Sequence, residues 1–144
     1  MSNSEHFRKL ERMSAAEPMN GTIPASMKVG DGTAEVVVQV RPEFHHCARA
    51  VHGAVYFKAL DDAAYFAASS AIEDMLLVTV SFTVYFTRPV SQGEMKARGR
   101  LVHQSRRLLV AEAELLDSAG RIVARGSGTF MESRTPLSPQ IGYC

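Results

Sequence analysis

Cysteine is scarce in this chain. There are two in 144 residues, Cys47 and Cys144, far apart in sequence. That excludes a disulfide framework and makes a reducing, cytoplasmic setting the expectation. An excess of charge of one sign is missing too: sixteen Lys and Arg against fifteen Asp and Glu leave a formal net charge of +1. With no basic stripe, neither nucleic acid nor an anionic membrane surface is expected as a partner. No apolar run approaches the length of a bilayer span. The opening "MSNSEHFRKLERMSAAEP" is charged throughout and lacks the apolar core of a secretory leader. Without a secretory route, the sequon Asn20-Gly21-Thr22 reads as a turn. Internal repeats and low-complexity blocks are absent. His45, His46 and Cys47 stand together, but His52 is the one nearby candidate for a further ligand. A metal site is therefore not expected, and no cofactor is implied. Cys47 has no visible activating arrangement and reads as a quiet thiol.

What is present is periodicity. The length suits one domain spanning residues 1–144, with residues 1–29 as an N-terminal helix and loop and 133–144 as a fraying tail. Phe7, Leu10 and Met13 or Ser14 recur at helical spacing over Glu5–Ala16, and Pro18, Asn20, Gly21 and Pro24 end that segment. "AEVVVQV" from Ala34 to Val40 is β-branched and strand-like after the turn Gly30-Asp31-Gly32. A long helix is predicted from His52 to Ile72. "MLLVTVSFTVYFTRP" then reads as a long strand ended by Pro89, and "EMKARGRLVHQS", "RLLVAEAELLD" and "RIVARGSGTFME" as three more. Short turns between them imply antiparallel neighbours. The expected class is α+β, with a sheet of about five strands curled around one long helix, each burying the other's apolar face.

Two adjacent carboxylates, Asp61 and Asp62, sit in the middle of that helix. At about 100° per residue they cannot share one face. Asp62 falls near Lys58 and Ser69, on a polar edge where an (i, i+4) ion pair is available, and reads as a surface acid. Asp61 falls on a stripe of Phe57, Ala64, Tyr65, Ala68 and Ile72. A carboxylate there is desolvated with a raised pKa, which suits a base or a nucleophile; an acid at a rim or subunit contact is the other reading of the same spacing. Opposite lie Tyr56, Leu60, Ala63, Ala67 and Ala71, small enough in part for close approach to the sheet.

His52-Gly53-Ala54, an acid nine residues after His52, and the strand "VTVSFTVYFTRPV" together resemble the hotdog-fold acyl-CoA thioesterases. The nearer branch is the phenylacetate-pathway type of the 4-hydroxybenzoyl-CoA thioesterase superfamily. The resemblance runs from about Thr33 to Met131 and includes "GRIVARGSGTF". It implies that Asp61 is the catalytic carboxylate. It further implies that the Gly53 N–H, at the helix start, polarises the thioester carbonyl, and that Thr79 helps hold the water. His46 stands where relatives often carry Asn, and Ala54 replaces the second glycine of the motif. His52 is expected to orient the helix start. Ala54, Phe57 and Tyr65 are expected along the substrate site, with Arg88, Arg106 and Arg107 as contacts for the phosphates of coenzyme A or, alternatively, as solvated turn residues. His103 reads as a surface strand residue.

The expected activity is hydrolysis of a small or medium acyl-CoA by a homodimer, or a dimer of dimers. The long strand provides the edge through which relatives dimerise. A non-catalytic acyl-CoA-binding module is the alternative. A hydratase or dehydratase is disfavoured, because no His accompanies Asp61 on the helix.

Overall fold

Alternating side chains send every second residue of six segments to one face, and the segments pair accordingly. In the computed structural model, which describes residues 3–144, the strands are β1 (Ser26–Gly30), β2 (Thr33–Gln39), β3 (Met75–Phe86), β4 (Glu94–Gln104), β5 (Leu109–Leu116) and β6 (Ile122–Pro136). They form one antiparallel sheet in the order β1-β2-β4-β5-β6-β3. The expected number of about five is thus corrected to six. The additional strand, β1, buries a single side chain fully, Val29, so its apolar pattern is faint. It is folded back on β2 by Asp31-Gly32, with Gly32 at φ +68°, a turn chemistry that favours hairpins.

Of the three α-helices among the described residues, α1 (Asn3–Ala16), the single turn α2 (Met19–Thr22) and α3 (Gly53–Ser69), the last lies against the inner face of the sheet. Leu60, Ala63 and Ala67 are fully buried on the side that reads as small and apolar in the sequence. A Cβ at Gly99 of β4 would lie 2.0 Å from the Ala63 carbonyl oxygen. The helix backbone therefore rests directly on the strand, and any side chain at 99 would lift it away. The helix is shorter at both ends than predicted. His52 caps it, and Ile72 lies beyond Ser70, its C-cap.

Helix α1 (Asn3–Ala16) turns His6, Leu10, Met13 and Ser14 inward. It packs into a second small core with Val29, Phe66 and Tyr143. It also closes one edge of the sheet: Glu11 accepts the Val29 N–H at 2.8 Å and Arg8 donates to the Val29 carbonyl at 2.7 Å. The expectation of a fraying tail is overturned. β6 continues to Pro136 opposite Met75, and Tyr143 is buried with its hydroxyl 2.6 Å from His6 Nδ1. His6 Nε2 lies 2.9 Å from the Ser69 carbonyl, which can only accept. In the neutral ring Nε2 therefore donates and Nδ1 accepts from the tyrosine. One buried imidazole thus joins both ends of the chain to the end of α3.

The opposite edge is different. β3 pairs with β6 on one side and has no strand on the other among the described residues. Val78, Val80, Tyr85 and Phe86 are 45%, 56%, 64% and 57% exposed there. No helix among the described residues is long and apolar enough to cross a membrane.

Candidate active site

Helix α3 and strand β3 lie side by side in opposite directions, so successive helix turns meet successive inward residues of the strand. Near the helix start, the Phe86 ring stands 3.2 Å from where a Cβ on Gly53 would be. Next, Phe57 and Phe82 meet edge to face, with centroids 5.6 Å apart at 89°. One turn further, the Thr79 hydroxyl donates to Asp61 Oδ1 at 2.9 Å. Then the Tyr65 hydroxyl donates to the Leu77 carbonyl at 2.7 Å. Thr79 and Phe82, three apart, both reach the helix side because the register shifts between Thr79 and Ser81. One extra residue there resets the alternation.

Asp61 sits where the helical wheel puts it. Burial pushes its carboxyl up to about 6, the Thr79 hydrogen bond holds it down, the charge of Asp62 adds to the rise and Lys58 opposes it. Asp62 makes the expected pair with Lys58, Nζ to Oδ2 at 2.6 Å. It is not a solvated surface acid, however: the two side chains are only 16% and 12% exposed. Glu17, just past the end of α1, reaches to 3.9 Å from Lys58. Burial raises the Asp62 carboxyl against the pull of Lys58, and burial raises that of Glu17 too, helped by the charge of Asp62. The sequence reading missed Glu17 because it belongs to another element. Its one signal was its place immediately before the helix-breaking Pro18.

At the start of α3, His52 Nδ1 accepts the Ala54 N–H at 2.9 Å, and the His52 carbonyl accepts the Val55 N–H. The Gly53 N–H has no acceptor among the described residues. Gly53 lines a cavity of about 400 Å³ together with His46, Tyr56, Phe86 and Arg88 among others. His46 Nδ1 accepts the Ala48 N–H at 3.0 Å, so a neutral ring carries its proton on Nε2. The loop that holds it turns through Arg49 at φ +63°. Ala54 is exposed on the first turn. Tyr56 and Phe86, which line this cavity, were not singled out in the sequence, where they read as ordinary core and strand residues.

The structure brings His46, Gly53 and Arg88 together, and separately Asp61 and Thr79. Asp61 does not line the Gly53 cavity. Arg106 and Arg107 are exposed on the β4–β5 connection and line neither that cavity nor the larger one. The larger one, of about 1000 Å³, lies on the outer sheet face among Arg98, Arg100, Glu112, Glu114 and Arg125, away from Asp61.

Comparison with known proteins follows the same residues. The thioesterase superfamily profile matches residues 49–124, a stretch that contains Gly53, Asp61 and Thr79. "Putative esterase Rv1847" of Mycobacterium tuberculosis is 30% identical over 121 residues, 76% of this chain and 86% of that protein. The conserved protein PA5202 of Pseudomonas aeruginosa has a TM-score of 0.79 at 29% identity, over 85% of this chain and 98% of that one. The E. coli PaaI protein, from the phenylacetic acid degradation operon, has a TM-score of 0.85 over 94% and 99% of the two chains, and at 19% identity shows a likeness of fold alone. A long helix held in a curved antiparallel sheet is the hotdog fold, and this chain belongs to the thioesterase superfamily.

Proposed function

We propose that the protein is an acyl-CoA thioesterase that hydrolyses a small or medium acyl-CoA to the free acid and coenzyme A. The observation that carries this reading is the Asp61 carboxylate, desolvated and oriented by Thr79, on the same helix as an unoccupied N–H at Gly53. A carboxylate near 6 is ionised at neutral pH yet basic enough to take a proton in the transition state. Thr79 occupies Oδ1, which leaves Oδ2 for a water. That water gives a proton to Asp61 as its oxygen bonds to the thioester carbonyl carbon. The carbonyl oxygen takes the negative charge and meets the Gly53 N–H, where the helix dipole adds positive potential. Collapse breaks the C–S bond and expels the coenzyme A thiolate, which needs no strong acid at neutral pH. His46, which lines the same cavity, is the second donor in this scheme through its Nε2–H. Arg88, at that cavity, is the nearer candidate for a coenzyme A phosphate.

Gly53 and Asp61 lie eight residues apart, about 12 Å along a helix at ~1.5 Å per residue. One thioester cannot reach both, since its carbon needs a nucleophile at about 3 Å and its oxygen a donor at about 3 Å. In this reading, pairing of β3 with a second copy across a two-fold axis lays the two α3 helices antiparallel. Gly53 of one protomer then joins Asp61 of its partner, giving two composite sites in a cytoplasmic homodimer. A non-catalytic acyl-CoA-binding role has no observation in its favour beyond the fold.

The test is thiol release from a panel of acyl-CoAs by the wild type and by Asp61→Asn. Turnover by the wild type that the variant lacks supports the reading. Equal rates, or none with any member, reject it. Single turnover in 18O-water that labels the Asp61 carboxyl identifies direct attack followed by opening of the mixed anhydride at the aspartyl carbon, an outcome the base route does not give.

A further inference from the structure

Strand β6 reads Gly126-Ser127-Gly128, and its alternation turns both glycines toward α3. A Cβ at Gly126 would lie 2.4 Å from the Phe82 ring, and one at Gly128 would lie 2.5 Å from it. The ring therefore lies flat on bare backbone, in a trough that no other residue type at 126 or 128 would leave open. Phe82 is half-buried, and its ring meets that of Phe57, which is 39% exposed. Asp61 is one helical turn from Phe57, and Thr79 is the preceding inward residue of β3. The trough thus leads away from the catalytic carboxylate into the gap between helix and sheet, and one side chain fills it. Val84 and Phe130 continue its apolar walls.

Resting on the thioesterase reading, we propose that Phe82 is a specificity-determining residue: its ring occupies the glycine-floored trough beside Asp61 and limits the acyl group to a short apolar chain. The trough has apolar walls and, with the ring in place, no room for further methylenes. A longer chain must either displace the ring from its bed or stay in water. Removing the ring leaves a channel whose floor is already free of side chains and whose far end is the Phe130 ring, 2.9 Å from where a Cβ on Gly128 would be, so Phe82 sets how far toward Phe130 a chain can run.

The experiment compares wild type with Phe82→Ala and Phe82→Leu on straight-chain acyl-CoAs from acetyl to dodecanoyl. It is paired with calorimetric binding of the matching non-hydrolysable thioethers. Each methylene newly seated is worth about fourfold in binding or kcat/KM. The long-chain over short-chain ratio should therefore rise ~250-fold in Phe82→Ala for a chain four carbons longer, and less in Phe82→Leu. Phe82→Leu retains most of the apolar volume and serves if the alanine variant melts too low to assay. A wild type that turns over acyl-CoA while all three proteins share one chain-length profile overturns the role of Phe82 and leaves the thioesterase reading intact. A wild type that turns over nothing removes the latter. The thioether affinities then still decide the former, since a trough that Phe82 does not govern gives the same chain-length dependence in all three proteins.

Discussion

Two neighbouring aspartates have opposite fates because a helix turns by about 100° per residue. Asp62 is held by Lys58, while Asp61 accepts from the Thr79 hydroxyl across the helix–strand gap. Asp61→Asn is expected to fold normally and lose at least about 10²-fold in turnover, while Asp62→Asn stays active. An inactive, folded Asp62→Asn would reverse the assignment. Because burial sets the Asp61 carboxyl near 6, kcat/KM should fall about tenfold per pH unit below about 6, a limb that a pH–rate profile resolves. The same burial has a stability consequence of opposite sense. A carboxyl near 6 in the folded state against 3.8 in the unfolded state binds more protons when folded. Stability therefore falls as pH rises from about 4 to 6, by up to about 3 kcal/mol. Asp61→Asn should then be more stable than wild type at pH 7 and indistinguishable below about pH 4, as urea titrations at the two pH values would show. The wheel made Asp61 legible in sequence. The covering of Asp62 was not, because Glu17 comes from a different element.

At the scale of elements, the site belongs to α3 and β3 together. The helix supplies the N–H and the carboxylate; the strand supplies the hydroxyl and the rings. His52 consumes the two N–H groups after Gly53 and leaves that of Gly53 itself. Gly53→Pro deletes this donor at a position where helices accept proline. Each of Gly53→Pro and Asp61→Asn should be nearly inactive as a homodimer. In a mixed dimer built in trans, both lesions fall in one site and the other is intact. Full subunit exchange makes half the dimers mixed, so roughly one quarter of wild-type activity should return. No recovery, with exchange confirmed by mass spectrometry, would refute the composite site. The helix period and the motif at its start were readable from the chain. That β3 would present Thr79 and Phe82 to the same helix was not, since a period of two places residues three apart on opposite faces until a register shift intervenes.

The whole molecule has two sheet edges and treats them differently. Side chains of α1 bond to Val29 and close β1, while β3 is left with exposed valines and aromatics. A long apolar edge is a liability unless another chain pairs with it. The wild type is therefore expected to be at least a dimer at micromolar concentration by light scattering. Val80→Lys, which puts a charge on the exposed apolar side of this edge, should shift it toward monomer and remove activity in parallel. A monomeric wild type would refute the arrangement, and a monomeric variant with full turnover would show that each site is complete within one chain.

Local pattern alone decided a good deal here, beside the motif that carries the likeness to hotdog thioesterases: the existence and register of α3, the strands β2 to β6, and the acid on the apolar stripe. These follow from periods of 3.6 and 2, which are written in consecutive residues. Only the tertiary structure decided what depends on residues far apart in sequence. β1 exists because a hairpin and an edge-capping helix hold five residues with one buried side chain. The tail is anchored because Tyr143 meets His6 across 137 positions. Gly99, Gly126 and Gly128 are glycines because a helix carbonyl and an aromatic ring come to rest on them. Close approach between segments leaves no periodic trace in either one, so packing in three dimensions had to supply it.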